Sequence, residues 1–245
     1  MSRGIVWFRN DLRTTDNAVL LDACAVHSEV LPLFVLDPRI LEVCPFGFGR
    51  MASYRAQFLK ESVLELAADL ERVGSGLRMV VGDPVTVIPE LTHAWNAHCV
   101  HVQHDPAWEE SMQERALARQ VDLRVHPPAT LLHPDDLPFT VEELPHVFTA
   151  FRKKVEKDRR VRAPLPVPDV PYTPQDWSNG FPEVELEGWT PGPSRDPRAV
   201  MRFHGGREAG QARLRHYLWD TRSLSTYKLT RNDLMGADHS SKFSP

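Results

Sequence analysis

The sequence predicts an α/β protein: a five-stranded doubly wound parallel sheet, a proline-rich connector, and then a helical piece that is either the opening of a second domain or a docked tail. Three observations carry this. Residues 1–126 alternate short apolar runs with longer stretches of helical periodicity, the pattern of parallel strands joined by crossover helices. Nine prolines fall between Pro164 and Pro197, a density that prevents regular structure and marks an extended connector. Helical patterning resumes over Gly206–Leu218 and Leu224–Asn232, in a stretch of about forty residues that is too short for a core of its own.

The elements follow in order. Ile5–Phe8 is the first apolar run and the first strand, and Asp16 is placed to cap a helix over Asn17–Val26 before the second strand, Val30–Leu36. Ser53 opens a long amphipathic helix with Phe58, Leu59, Val63, Leu66 and Leu70 at helical spacing, and Gly74 ends it. Leu77–Val81, Val100–Gln103 and Leu123–Val125 complete the strands, with helices at Pro84–Trp95 and Glu109–Arg119 between them. The expected boundaries are 1–130 for the α/β domain, 131–200 for the connector with its basic stretch at Phe148–Arg162, and 201–245 for the helical start.

Composition narrows the class. With 42% hydrophobic and 25% charged residues the chain is that of an ordinary soluble globular protein. A net charge of −4 argues against a wholly electrostatic nucleic-acid binder, yet residues 148–162 hold seven Lys/Arg against two Asp/Glu. Any contact with a polyanion would be local. Three cysteines without CxxC spacing predict reduced thiols, and the lack of a signal peptide or an 18-residue apolar run predicts a cytoplasmic protein with no membrane span.

In a doubly wound domain, ligands gather at the carboxyl ends of the strands where the winding reverses. That directs attention to the loops Arg9–Thr15, Asp37–Arg50, Gly82-Asp83 and His104–Trp108, none of which holds a GxGxxG or GxxxxGK[ST] motif. The segment Trp7-Phe8-Arg9-Asn10-Asp11-Leu12-Arg13-Thr14-Thr15-Asp16-Asn17 is dense in charge directly after a buried strand. Its structural reading is an ion-pair and capping network of Arg9 or Arg13 with Asp11 or Asp16. At the other end, Ser240, Ser241 and Ser244 flank Lys242 in a short polar run, the groups that a phosphate or pyrophosphate needs. The bland alternative there is a helix N-cap at Ser240 or Ser241.

The charged opening also resembles the Trp-Phe-Arg-x-Asp-Leu-Arg-x-x-Asp-Asn start of the photolyase and cryptochrome flavoproteins. Phe34-Val-Leu-Asp37-Pro38-Arg39, Phe46-Gly-Phe48, Arg55-Ala-Gln57-Phe58-Leu59-x-Glu61-Ser62, Asp136-Leu137-Pro138-Phe139 and Phe148-Thr149-x-Phe151-Arg152-Lys153-Lys154-Val155-Glu156 are similar to the DASH-type cryptochrome branch. The resemblance implies an antenna-binding α/β domain, a connector, and a helical domain that holds FAD. It places Tyr227, Ser240, Ser241, Lys242, Phe243 and Ser244 in a partial FAD cradle, with His239 standing where the branch usually has Tyr. It further implies an antenna pigment, 5,10-methenyltetrahydrofolate. The pterin carboxylate of the family aligns with Asp105, which can equally be the N-cap of the next helix; Phe48 and Arg50 are weaker contacts.

The implied function is light-driven electron transfer from reduced FAD to cyclobutane pyrimidine dimers in DNA, preferentially single-stranded, by a carbon–carbon lyase. Arg152, Lys153 and Lys154 would follow the DNA backbone, or form a solvated helix face. The family's remaining flavin contacts and catalytic residues would lie beyond Pro245, so the expected chain is a truncated amino-terminal portion, inactive alone, whose partner is the missing half. The alternative is a stand-alone folate-binding or blue-light signalling module. His98, Cys99, His101 and His104 suggest a metal cluster, but strand alternation puts only Cys99 and His101 on one face, and no metal site is expected. No Ser-His-Asp order or reactive-cysteine context supports a hydrolase.

Overall fold

A computed structural model describes residues 2–157, 161–169, 199–233 and 236–243. Within these, β1 (Arg3–Phe8), β2 (Glu29–Leu36), β3 (Arg78–Val81), β4 (Cys99–Gln103) and β5 (Leu123–His126) form one parallel sheet in the order β3-β2-β1-β4-β5. The five expected strands are all present: four are longer than expected by one or two residues, and β3 starts one residue later, at Arg78. β1 is central, with Ile5 in register with Leu31 on one side and Val100 on the other. The winding therefore reverses between β1 and β4, which fixes the switch point at the ends of those two strands.

The crossover helices are α1 (Ala18–Val26), α2 (Ser53–Arg72), α3 (Pro84–Ala94) and α4 (Trp108–Leu117). Alternation along the strands sends Ile5, Trp7, Leu31, Leu33, Val100 and Val102 to one face, where Val87, Ile88 and Leu91 of α3 and Leu117 of α4 close a continuous apolar core. The opposite parity, Gly4, Val6, Phe8, Cys99 and His101, faces α1 with its buried Val19, Leu20 and Ala23. α1 starts one residue later than expected. Its N-cap is Asn17, whose Oδ1 accepts from Leu20 N at 2.9 Å, while Asp16 stands outside at φ 51°. Asp16 instead exchanges hydrogen bonds with the backbone of Leu165 (3.0 and 3.0 Å), fastening the first part of the connector to the α/β unit.

The α1 face carries an unusual polar inclusion. His27 and His101 are buried, and their Nε2 atoms lie 3.0 Å apart; His101 Nδ1 in turn lies 3.1 Å from His126 Nε2. Burial pushes the His101 imidazole down to about 4, with the neighbouring His126 and His27 adding to it, and lowers His27 and His126 as well. Room for the His27 ring comes from Gly4, since a Cβ there would penetrate the imidazole.

Among the described residues of the basic stretch after the sheet, helix runs over α5 (Phe148–Val155). Arg162 binds Asp136 with two hydrogen bonds (2.6 and 3.0 Å). Arg159, Arg160 and the proline-rich residues 170–198 lie outside the described residues.

The described chain divides into two compact units: segments 1–37 and 70–169, and segments 38–69 and 199–243. In the second, α6 (Arg207–Arg215) passes into one π turn over His216–Asp220 where the sequence predicts helix to Leu218, and 3-10 residues Ser223–Thr226 precede a single-turn α7 (Tyr227–Thr230) in place of the expected helix over Leu224–Asn232. α6 draws its N-terminal caps from α2. Gly205 N donates to Glu61 (2.7 Å), Gly206 N to Ser62 Oγ (2.9 Å) and Glu208 N to Glu65 (2.8 Å). Gly206 adopts φ 97°, and a side chain there would strike Glu65.

Replacing Gly4 by Ala is expected to cost about 1–3 kcal/mol, as overpacking does. Urea unfolding measures this, and the double variant G4A/H27A should recover part of the loss.

Candidate functional site

The loop after β1 is organised by Arg9, though not through the partners its sequence neighbours suggest. Its guanidinium donates to the carbonyl of Gln103, at the end of β4, and to Glu114 Oε1 of α4 at 2.5 Å, and it lies over the Trp7 ring at 4.8 Å. Asp11 does not pair with it: Asp11 Oδ1 accepts from the Arg9 amide (3.1 Å), and Asn17 Nδ2 reaches Asp11 Oδ2 (3.2 Å). Arg13 donates to the backbone carbonyl of Asp16 (3.0 Å). These bonds close a charged turn against the sheet.

Glu114 is the hub of the switch point. Buried with Arg9, it also accepts from the Asp105 amide (3.1 Å) and sits 2.7 Å from His104 Nδ1. Asp105 is not the N-cap of α4; that position is Ala107. Because Pro106 has no N–H, Asp105 Oδ1 bonds the next amide, Ala107, at 3.2 Å, while Oδ2 accepts from Asn10 Nδ2 at 2.7 Å. A ligand presenting an N–H pair to this carboxylate would displace the Asn10 amide. One donor stays unmatched: Arg9 Nη1 is buried without a hydrogen-bond partner among the described residues.

Phe48 and Arg50 belong to the other unit. They lie on a loop pinned by a bridge between Val43 and Gly49, with Cys44 N donating to Phe48 O (2.8 Å), and Phe48 stacks on Phe46 at 6.3 Å. On α5, Arg152, Lys153 and Lys154 are exposed; Arg152 pairs with Glu156 (3.5 Å) and Lys154 lies over the Phe139 ring (5.3 Å).

The serine run of the second unit is held by one side chain that the sequence did not single out. Arg213 of α6 donates to the carbonyls of Ala237 (2.7 Å), Ser240 (3.1 Å) and Ser241 (3.0 Å) and to Asp238 Oδ1 (2.7 Å), with its guanidinium 5.7 Å from the Tyr217 ring centre. This hydrogen bond from Arg213, reinforced by His216, holds the Asp238 carboxyl below its ordinary value. Lys242 takes the left-handed conformation, φ 63°, turning the chain just past the serines. His239 Nδ1 is buried with no hydrogen-bond partner among the described residues. Tyr227 and Phe243 are exposed, and Ser244 lies outside the described residues.

Three organising residues were thus unmarked: Asn10, Glu114 and Arg213. Glu114 is one of several acids along α4, and Arg213 one of several cations along α6. Helical spacing gives no signal that separates them from their exposed neighbours.

A doubly wound sheet with a charged switch point, joined to a helical segment that ends in a clamped serine turn, matches a known class. The family model for DNA photolyase matches residues 4–170, and the chain belongs to that family. Within it the similarity runs to the DASH branch. The chain is 41% identical over 246 residues to cryptochrome DASH of Gloeobacter violaceus, covering 98% of this chain and 49% of that protein. It is 40% identical over 251 residues to cryptochrome DASH of Natronomonas pharaonis, covering 100% and 53%. The crystal structure of a Synechocystis cryptochrome superposes with a TM-score of 0.92 at 35% identity, over 100% of this chain and 52% of that one. The chain spans about half the length of the curated relatives it matches.

Arg9→Ala strands Glu114 in the interior and is expected to destabilise the fold by about 3–5 kcal/mol, read by chemical denaturation. The pair R9M/E114L should lose much less. Acid should loosen the serine turn separately: a carboxyl depressed by folding stabilises above its unfolded value, near 3.8, and that contribution disappears as pH falls through the lower folded value. Amide exchange at residues 239–243, corrected for its intrinsic slowing toward acid, should therefore lose protection below about pH 4 in the wild type. In Asp238→Asn it should be fast already at neutral pH and lack that step.

Proposed function

We propose that this chain forms the antenna-side α/β unit and one wall of the flavin cradle of a DASH-type photolyase or cryptochrome. Bound FAD would supply the photochemistry, giving an electron to a cyclobutane pyrimidine dimer in DNA, single-stranded by family preference, and recovering it after the ring splits. The observation that carries this reading is the Arg213 clamp. Carbonyl oxygens repel a phosphate, and here three of them, from Ala237, Ser240 and Ser241, are drawn onto a guanidinium. The turn is left with hydroxyls and the Lys242 ammonium to offer an anion. A pyrophosphate fits that chemistry.

The remaining residues have supporting parts. Ser240, Ser241, Lys242 and Ser244 would hold the phosphates, with Tyr227 and Phe243 lending apolar edges. Asp105 would orient a folate antenna such as 5,10-methenyltetrahydrofolate through its carboxylate. The exposed cations Arg152, Lys153 and Lys154 would meet DNA phosphates, an attraction that weakens with salt. Trp219, Leu224 and Leu229 are exposed apolar side chains of the second unit, a surface suited to cover by further helical chain.

FAD titration followed by flavin fluorescence anisotropy tests the cradle. Binding should weaken at least about tenfold in Arg213→Ala, since charged hydrogen bonds are each worth about 1.5–3 kcal/mol. Wild-type anisotropy that stays flat at saturating FAD would count against the cradle, and folate binding without flavin binding would favour a stand-alone antenna module.

A further inference from the structure

We propose that Asp22, His101 and His126 form a binding site for a borderline divalent cation such as Zn2+, on the α1 face of the sheet. The three residues come from α1, β4 and β5, and their ligand atoms converge. His101 Nδ1 is 3.1 Å from His126 Nε2 and 3.4 Å from Asp22 Oδ2, and His126 Nε2 is 3.7 Å from that same oxygen. The centre of a triangle with those edges lies about 2.0 Å from each corner, the length of a zinc bond to imidazole or carboxylate. Two neutral imidazoles and one carboxylate also match the donor preference of zinc.

The surroundings supply what such a site needs beyond its ligands. With a cation on His101 Nδ1, the other ring nitrogen must carry its proton, and Nε2–H then donates to His27 Nε2 at 3.0 Å. His27 Nδ1 passes the chain on to Ser2 Oγ at 2.7 Å. Gly4 keeps this outer ring in place by leaving His27 room against β1. Access is present on one side only: His101 is fully buried, whereas the Asp22 side chain is 42% exposed, so water can complete the coordination. Arg124 Nη1, 3.7 Å from Asp22 Oδ2, is the resident competitor for the carboxylate, and its exposed side chain has room to withdraw.

A second set, His27, Cys99 and His101, also brings its ligand atoms together. It suits a cation less well. All three are buried, and burial pushes the Cys99 thiol up to about 11, against the thiolate that a metal requires.

The test uses the tag-free chain stripped of metal. Titration calorimetry should give one equivalent of Zn2+, and saturating Zn2+ should raise the thermal midpoint. Asp22→Asn and His126→Gln, both at partly exposed positions, should each weaken binding at least tenfold, and D22N/H126Q should abolish it. Cys99→Ala should leave binding unchanged. Arg124→Ala should tighten it by removing the competing cation, an effect that misfolding cannot imitate. Co2+ substitution should yield ligand-field bands without thiolate charge transfer. The proposal is overturned by an absence of stoichiometric binding, by binding that persists in D22N/H126Q, or by a charge-transfer band that vanishes in C99A.

Discussion

Arg9 bridges the point where the sheet changes direction. In a doubly wound fold the connections that leave the two strands at the switch point go to opposite faces of the sheet, and something must close the crevice between them. Here one guanidinium takes a carbonyl at the end of β4, a buried carboxylate on α4 and the face of Trp7. The same carboxylate receives the Asp105 amide and His104, so the β1 loop, the β4 loop and α4 become one rigid assembly. The position of Asp105 is set by that assembly.

The second unit solves a related problem with the same residue type. A turn of polar residues has no core to hold it, and Arg213 substitutes for one by gathering three backbone carbonyls and Asp238. Arginine suits both places because its planar fork serves several oxygens at once. Further up, α6 lacks a capping side chain of its own and takes Glu61, Ser62 and Glu65 from α2. The similarity of the Glu61-Ser62 segment to the DASH branch thus has a structural meaning at a helix start.

Legibility followed the range of the interaction. Strands and crossover helices were readable from Ile5–Phe8 to Leu123–Val125, since their periodicity is repeated over several residues. The start of α1 was misread by one residue, because Asp16 and Asn17 are both good caps and only the φ of 51° at Asp16 separates them. Nothing local in the basic stretch announces that Arg162 will bind Asp136, 26 positions back. Alternation puts Cys99 and His101 on one face of β4, but nothing local announces that His27, Asp22 and His126 gather there.

The alternation of apolar runs fixed the α/β class, the strand positions and the existence of a connector. Motif resemblance along the chain fixed the family. Both are properties of residues near one another in order, which the backbone's periods of 2 and 3.6 convert directly into elements. The choice of Glu114 for Arg9, of three carbonyls for Arg213 and of Asp22 for two histidines was decided only in three dimensions. Each choice pairs residues far apart in sequence, and a charge carries no record of its partner until the sheet order brings the two together.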